Sequence, residues 1–401
     1  MDVKHGDYVK MLGKNRTKYQ DPKDFQDLPM DCKLIKSRNF FSPVPTTSLE
    51  ANYPLAFVRT VYTDYRYIEL MLAAGYQPQN YYCYAIDQKS SDMFKMRIQA
   101  MANCFPNVFV LNRTRKLDSW GHNQDWAHLD CIKMLREKGR KWKYVQILQN
   151  HEFPLKTNFE MVQIYKWMKG ANDIESVKEP GRVNYKLNWT YPNLGIFKNE
   201  SRLHQLNNYT KIRMTFAKGA NGASLSREAI DYIFTELNIT KLVSMIDDGK
   251  SFAVDEVLIP SLISNEDLGI PGHFTQKCHG KSDSQTLTRM SSWKYVGTKC
   301  GSKHFRHSLC IYGVEDIATN LGNSVFINGN KMLNSFDFNA VVCWMEVLYN
   351  RTFVNPPTIK RLKKKEYDNW LTVRYQDYKL KTFNSSVITK QQSKNFTCKI
   401  K

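Results

Sequence analysis

No run of about 18 apolar residues occurs anywhere in the sequence, so no segment reads as a transmembrane helix. The opening stretch, Met1 to Lys18, is polar and basic and lacks the apolar centre of a signal peptide. There is no Cys-x-x-Cys pair, which removes the zinc-ribbon and thioredoxin-type readings. Neither Gly-x-Gly-x-x-Gly nor Gly-x-x-x-x-Gly-Lys-Ser/Thr is present. Those loops bring backbone N–H groups against phosphate, and without them dinucleotide-type and P-loop readings lose their basis. Acidic residues are scarce, 38 Asp+Glu against 58 Lys+Arg, a net charge of +20. No zinc-finger, homeodomain or RNP-type pattern accompanies that charge, so no nucleic-acid partner is expected.

What is present suits an ordered protein. Hydrophobic residues make up 42% and aromatics 13% of 401 residues, enough for a packed core and of a length for two domains or one large α/β unit. Residues 1–52 are polar and turn-rich, ending in Ser42-Pro43-Val44-Pro45-Thr46-Thr47, and read as an N-terminal stem or arm. Residues 355–401 hold twelve Lys/Arg and three Asp/Glu, including Lys360-Arg361 and Lys363-Lys364-Lys365, and read as a basic C-terminal extension appended to the core.

Between them, over 53–354, short apolar runs alternate with helical patterns. Leu55–Val58, Tyr81–Ile86, Asn107–Leu111 and Tyr144–Leu148 are predicted as strands. Helices are predicted around Ile68–Leu72 and over Asp92–Met101, Gln124–Lys138, Arg227–Leu237 and Val254–Ile263, with long loops over 178–222. This alternation predicts β-α-β units on a mainly parallel sheet. Such sheets bind ligands beyond the carboxyl ends of their strands, which directs attention to Asp87 and to Gln149-Asn150-His151-Glu152.

Asn-X-Ser/Thr sequons begin at Asn15, Asn112, Asn188, Asn199, Asn208, Asn238, Asn350, Asn384 and Asn395. Nine cysteines accompany them. Together they favour a secretory lumen with several disulfides over a cytosolic protein with buried reduced thiols.

Several blocks carry a resemblance. Tyr82-Cys83-Tyr84-Ala85-Ile86-Asp87-Gln88-Lys89, Ala102-Asn103-Cys104-Phe105-Pro106-Asn107-Val108-Phe109, Trp142-Lys143-Tyr144, Glu152-Phe153-Pro154-Leu155-Lys156-Thr157-Asn158 and Ser308-Leu309-Cys310-Ile311-Tyr312-Gly313 keep their order from about residue 54 to 345. In these the chain resembles the core-2/I-branching β-1,6-N-acetylglucosaminyltransferases, glycosyltransferase family 14. The resemblance implies a GT-A-like nucleotide-sugar fold over 53–354, a type II Golgi membrane topology through an N-terminal anchor not present in this chain, and an inverting transfer without a metal or other cofactor. No Asp-x-Asp occurs, and Asp247-Asp248 is adjacent rather than spaced.

The resemblance also implies site residues. Arg306 and Lys331 match the two cations that take the leaving diphosphate, work suited to guanidinium and ammonium groups. Asp87 matches a donor position near the nucleoside. Glu256 matches the general base that removes the acceptor proton during in-line displacement. An acidic pair at a helix start also suits N-capping by Asp255. Val254 stands where the family has Pro. Glu175, Trp293 and Tyr295 match acceptor positions, a carboxylate beside an aromatic platform, and Lys186 stands near a family Arg. Family pairing implies Cys32–Cys104, Cys83–Cys131 and Cys300–Cys310. The stem holds no counterpart for Cys343, leaving Cys343–Cys398 as a substitute, and an odd total leaves at least one thiol free or intermolecular.

The implied activity is transfer of a sugar, N-acetylglucosamine from UDP-N-acetylglucosamine, in β-1,6 linkage to a glycoprotein O-glycan in the Golgi lumen. Two alternatives stand beside it: the same fold using another UDP-hexose such as glucose or xylose, and a non-catalytic glycan-binding relative.

Overall fold

The structure, a computed structural model, describes residues 6–139, 141–280, 286–355 and 362–399. Its strands in chain order are β1 (Leu55–Val61), β2 (Tyr81–Ile86), β3 (Val108–Val110), β4 (Tyr144–Leu148), β5 (Glu152–Pro154), β6 (Val177–Lys178), β7 (Ala217–Lys218), β8 (Ser224–Ser226), β9 (Arg289–Ser291), β10 (Phe305–Arg306), β11 (Leu309–Cys310) and β12 (Asn328–Asn330). The central sheet has the order β3-β2-β1-β4-β8, parallel except for the antiparallel β4–β8 pair. This is the mixed α/β, mainly parallel, disulfide-bonded fold expected from the sequence.

The apolar runs become strands because both faces of this sheet are covered. In β2, Tyr81, Cys83 and Ala85 enter one core cluster while Tyr82, Tyr84 and Ile86 enter the other, the period of two that a pleated strand imposes. The helices Tyr65–Gly75 and Asp92–Asn103 pack on the second side, and Gln124–Glu137 on the first. Cys83–Cys131 ties the last of these to the sheet, Cys32–Cys104 ties the N-terminal arm to the helix Asp92–Asn103, and Cys300–Cys310 closes a short loop.

Chain order places the site. From β3 the chain crosses back to the far side of β1 and forms β4, so β1 has neighbours reached in opposite directions. A parallel sheet opens a crevice at such a switch point, beyond the carboxyl ends of the two strands. Here that crevice lies between Tyr62–Asp64 and Gln149–Glu152. Asn150 joins the two loops: its Oδ1 accepts from Tyr62 N at 2.7 Å and Thr63 N at 3.3 Å, and its Nδ2 donates to Thr63 O at 3.1 Å. A second sheet, β5-β12-β9, starts at the same place, with Asn330 opposite both Glu152 and Ser291.

Several expectations need correction. The helix read over Val254–Ile263 is a 3-10 turn, Val254–Glu256, followed by a helix, Leu258–Ser264. Asp255 makes no side-chain cap there. Cys398 pairs with Cys278, not Cys343, which is a buried thiol pushed up to about 11 by burial. The N-terminal arm packs on the molecule: Arg16 reaches Asp337 and Glu315, the latter at 2.6 Å. The basic extension packs as well. Leu362, Tyr367 and Val373 join one core cluster, and Tyr375, Ile388, Phe396 and Cys398 join another. Several of its charges lie at the surface, as in the Lys364–Asp368 pair and in Asp377, which meets Lys169 of the core, and a charge count read it as an appendage. Lys360-Arg361 lie outside the described residues.

The Cys278–Cys398 bond spans 120 residues. Cys398→Ser is expected to cost about 2–5 kcal/mol, seen as a lower urea midpoint under non-reducing conditions. Peptide mapping of the intact protein should recover the fragment pair joining Cys300 to Cys310.

All nine sequon asparagines are exposed. Among the described residues no helix is long and apolar enough to cross a membrane.

Candidate active site

The crevice floor is built from buried polar groups. Arg59, on β1, donates from Nη1 to Gln149 O at 2.8 Å and Glu152 O at 2.8 Å, fixing the loop after β4. His151 Nε2 lies 2.6 Å from Asp64 Oδ2, and burial lowers its basicity while Asp64 opposes that shift. Glu152 is fully buried, with no hydrogen bond to its carboxylate oxygens among the described residues, and burial pushes its carboxyl up against the opposing pull of Arg289, Arg59 and Lys331.

The two cations expected from the sequence come together on this side. Arg306 ends β10 and is exposed at the tip of the β10–β11 hairpin, whose turn residues His307 and Ser308 take φ of 49° and 63°. The Cys300–Cys310 bond and the Asp316 carboxylate hold the preceding loop, with Asp316 accepting from Gly301 N at 2.6 Å and Ser302 N at 3.1 Å. Lys331 directly follows β12. Burial lowers its ammonium to about 8, helped by the like charges of Arg289 and Arg306 and opposed by Glu152. Asp87 lies at the end of β2 as predicted, with its Oδ1 accepting from Lys89 N and Leu117 N, both at 3.1 Å. That oxygen serves the turn; Oδ2 faces Lys89 Nζ at 3.7 Å.

A second group gathers at the opposite wall. Glu256 closes the 3-10 turn that begins after Ala253, whose φ is 53°. Arg182 Nη1 donates to the Glu256 carboxylate, and Lys218 Nζ stands 3.5 Å from Glu256 Oε2 and 3.7 Å from Glu175 Oε2. Burial pushes the Glu175 carboxyl up, Lys218 opposes, and Glu256 adds to the rise. The close approach needs Gly219: a Cβ there would stand 2.3 Å from Glu175 O. Asp255 is pushed up to about 6 by burial and accepts from Asn221 Nδ2 at 2.8 Å. Trp293 and Tyr295 belong to the first side, beside the β10–β11 hairpin, where Trp293 bridges to Leu309; their rings stack at 5.6 Å between centroids, and Tyr295 is 73% exposed.

Arg289, on β9, lies between the two groups. Its guanidinium reaches Asn221, Gln149 Oε1 at 3.1 Å, Glu152 Oε1 at 3.4 Å and the Asn330 amide. Its charge acts on Lys331 on one side and on Glu175 and Asp255 on the other.

The description "Core-2/I-Branching enzyme" fits this chain over residues 55–319, a stretch that contains β1 to β11 and all of the groups above except Asn330 and Lys331. The chain belongs to the Core-2/I-branching enzyme family. It is similar to the mouse beta-1,3-galactosyl-O-glycosyl-glycoprotein beta-1,6-N-acetylglucosaminyltransferase 3, 30% identical over 345 residues, 82% of this chain and 75% of that protein. It is also similar to the human beta-1,3-galactosyl-O-glycosyl-glycoprotein beta-1,6-N-acetylglucosaminyltransferase, 28% identical over 82% of this chain and 78% of that one. Among solved structures, the Saccharomyces cerevisiae mannosyltransferase Ktr4p in complex with GDP aligns over 69% of this chain and 83% of its own, at 14% identity and a TM-score of 0.27.

In this branching-family chain, then, the structure brings Glu256 and Glu175 together on one wall and Arg306 and Lys331 on the other. Sequence reading missed three cations that organise them. Arg182, not the exposed Lys186, holds Glu256. Lys218 bridges the two glutamates, and Arg289 links the walls. Only Arg289 had a local signal, its place four residues before Trp293. Asp247 accepts from Asn123 N at 2.7 Å, and Asp248 accepts from Lys250 N and Ser251 N at 2.9 and 2.8 Å, so that pair serves its own loops. Among the described residues no group of three or more His, Cys, Asp and Glu side chains could hold a metal ion.

Proposed function

We propose that the protein is an inverting β-1,6-glycosyltransferase that moves N-acetylglucosamine from UDP-N-acetylglucosamine to an O-glycan hydroxyl. The supporting observation is the division of the crevice: two cations that form no ion pair among the described residues, Arg306 and Lys331, on one wall, and a carboxylate, Glu256, on the other.

The chemistry follows from that division. The acceptor hydroxyl oxygen bonds to the anomeric carbon as the bond to the diphosphate oxygen breaks, and the hydroxyl proton passes to the Glu256 carboxylate. The electron pair of the broken bond leaves with UDP, where the guanidinium of Arg306 and the ammonium of Lys331 balance the added charge. Arg182 and Lys218 fix the Glu256 carboxylate before the acceptor arrives. Glu175 accepts hydrogen bonds from acceptor hydroxyls, the Trp293–Tyr295 stack covers an apolar sugar face, and Asp87 serves the nucleoside end. Four disulfides and nine exposed sequons suit an oxidising, glycosylating lumen, and the family-type setting is the Golgi membrane.

A panel of UDP-sugars offered with O-glycan acceptors, followed by linkage analysis, tests the reading. The expected product carries β-1,6-linked N-acetylglucosamine. Transfer of glucose or xylose instead would reassign the donor, and the absence of turnover with every donor would leave a glycan-binding relative. Activity is expected to survive EDTA; strict dependence on an added divalent ion would contradict the roles of Arg306 and Lys331.

A further inference from the structure

A cleft of about 400 Å3 opens at the far end of the antiparallel β6–β7 pair, lined by Lys178, Tyr185, Trp189, Arg213, Phe216 and His279 among others. Both paired strands connect it with the acceptor wall. Lys178 follows Glu175 by three residues, about 10 Å along an extended chain. Phe216 and Thr215 precede Lys218 on the paired strand. The cleft is therefore a continuation of the surface that carries Glu175, Lys218 and Glu256.

Its charges are unbalanced in one direction. The acid in the cleft, Glu179, is buried and turned to its own loop, accepting from Gly181 N at 2.9 Å, from Arg182 N and from Tyr185 Oη at 2.9 Å. Lys178 and Arg213 are exposed, and among the described residues neither side chain makes an ion pair or a hydrogen bond. His279 is half-buried with an unpartnered Nε2, and burial lowers it to about 4, so it stands there as a neutral donor or acceptor. Tyr185 is 56% exposed and meets Phe216 edge-on at 6.0 Å, offering a ring face over an apolar floor of Phe216 and Trp189. Two free cations, a neutral imidazole and an aromatic face suit one kind of occupant: a sugar that carries an anion.

We propose that this cleft is a distal acceptor subsite that binds an acidic sugar, through a carboxylate or a sulfate ester held by Lys178 and Arg213. The proposal rests on the O-glycan reading of the active site. It makes the enzyme selective for acceptors already bearing negative charge at a position remote from the reacting hydroxyl.

The kinetic test compares a neutral O-glycan acceptor with the same acceptor carrying a remote sialic acid or a remote sulfate. The charged acceptors are expected to show KM lower by about 5- to 10-fold with little change in kcat, an advantage that shrinks as salt is raised. In the Lys178→Ala/Arg213→Ala double variant the advantage should vanish, while kcat on the neutral acceptor stays at the wild-type value. Preference for only one of the two anions would identify the source. Equal KM for neutral and charged acceptors, or a preference that persists in the double variant, would overturn the proposal. A binding arm separates this outcome from failure of the transferase reading: sialyllactose should bind the wild-type protein more tightly than lactose, and the difference should be absent in the double variant. That comparison holds even if no O-glycan is a substrate.

Discussion

Glu256→Gln is expected to lower the transfer rate by roughly 100-fold or more, the size of a general-base contribution, while UDP affinity stays close to wild type. The amide keeps the shape of the carboxylate and can still lie against Arg182, but it cannot take the acceptor proton. Binding of UDP depends on the opposite wall, where Arg306 and Lys331 stand, so the two measurements should separate. Single-turnover transfer rates and UDP titration together check this, and a variant with undiminished turnover would remove Glu256 from the base role.

The second large effect belongs to Lys331. Its replacement by Met is expected to lower kcat by about 100- to 1000-fold, as loss of one preorganised charge at a developing anion does. The pH dependence carries the signature. With the ammonium lowered to about 8, the charged form is present below that value and is lost as pH rises through it, so kcat/KM of the wild type should fall on the alkaline side near pH 8. Arg289 contributes to that lowering through like charge, and Arg289→Met should therefore move the alkaline limb upward even if it also reduces the rate. An alkaline limb that stays in place in both variants would assign it to another group.

The parts of this molecule that could be read from the chain are those whose determinants are local. β2 and β4 were bounded correctly because a strand covered on both faces is a mainly apolar run with polar residues on either side, interrupted in β4 only by the buried Gln146. The helix Gln124–Glu137 was read one residue long, as Gln124–Lys138, from its helical spacing of apolar residues. The helix Asn158–Met168 was not read although Thr157 and Glu160 form a capping box at its start, a signal that needs only four residues. β5, β9 and β12 were beyond reach for a different reason. Each has three residues and is held by partners distant in the chain, 39 positions for β9 with β12 and more than a hundred for β5 with β12, so no periodicity develops within it.

The site divides along the same line. Glu256, Glu175, Arg306 and Lys331 were reached through motif resemblance, and the structure brings them to two facing groups. Arg289 was not, because its meaning lies in its neighbours: Gln149, Glu152, Asn221 and Asn330 come from separate stretches of chain and meet only after folding. Net charge misled in the C-terminal region. Lys379, counted there as a surface cation, is buried and donates to His273 O at 2.6 Å and Ser386 O at 2.8 Å.

The position of Cys398 bears on how the molecule is made. A chain threaded into an oxidising lumen from its N-terminus exposes Cys278 about 120 residues before its partner arrives, together with the apolar surface that Tyr375, Ile388 and Phe396 later cover. That bond must therefore wait until Cys398 has been synthesised, and chaperones and thiol isomerases have a long interval in which to act. A premature stop even slightly upstream of Cys398 would leave a reactive thiol and an uncovered core, the features by which quality control recognises a chain for disposal.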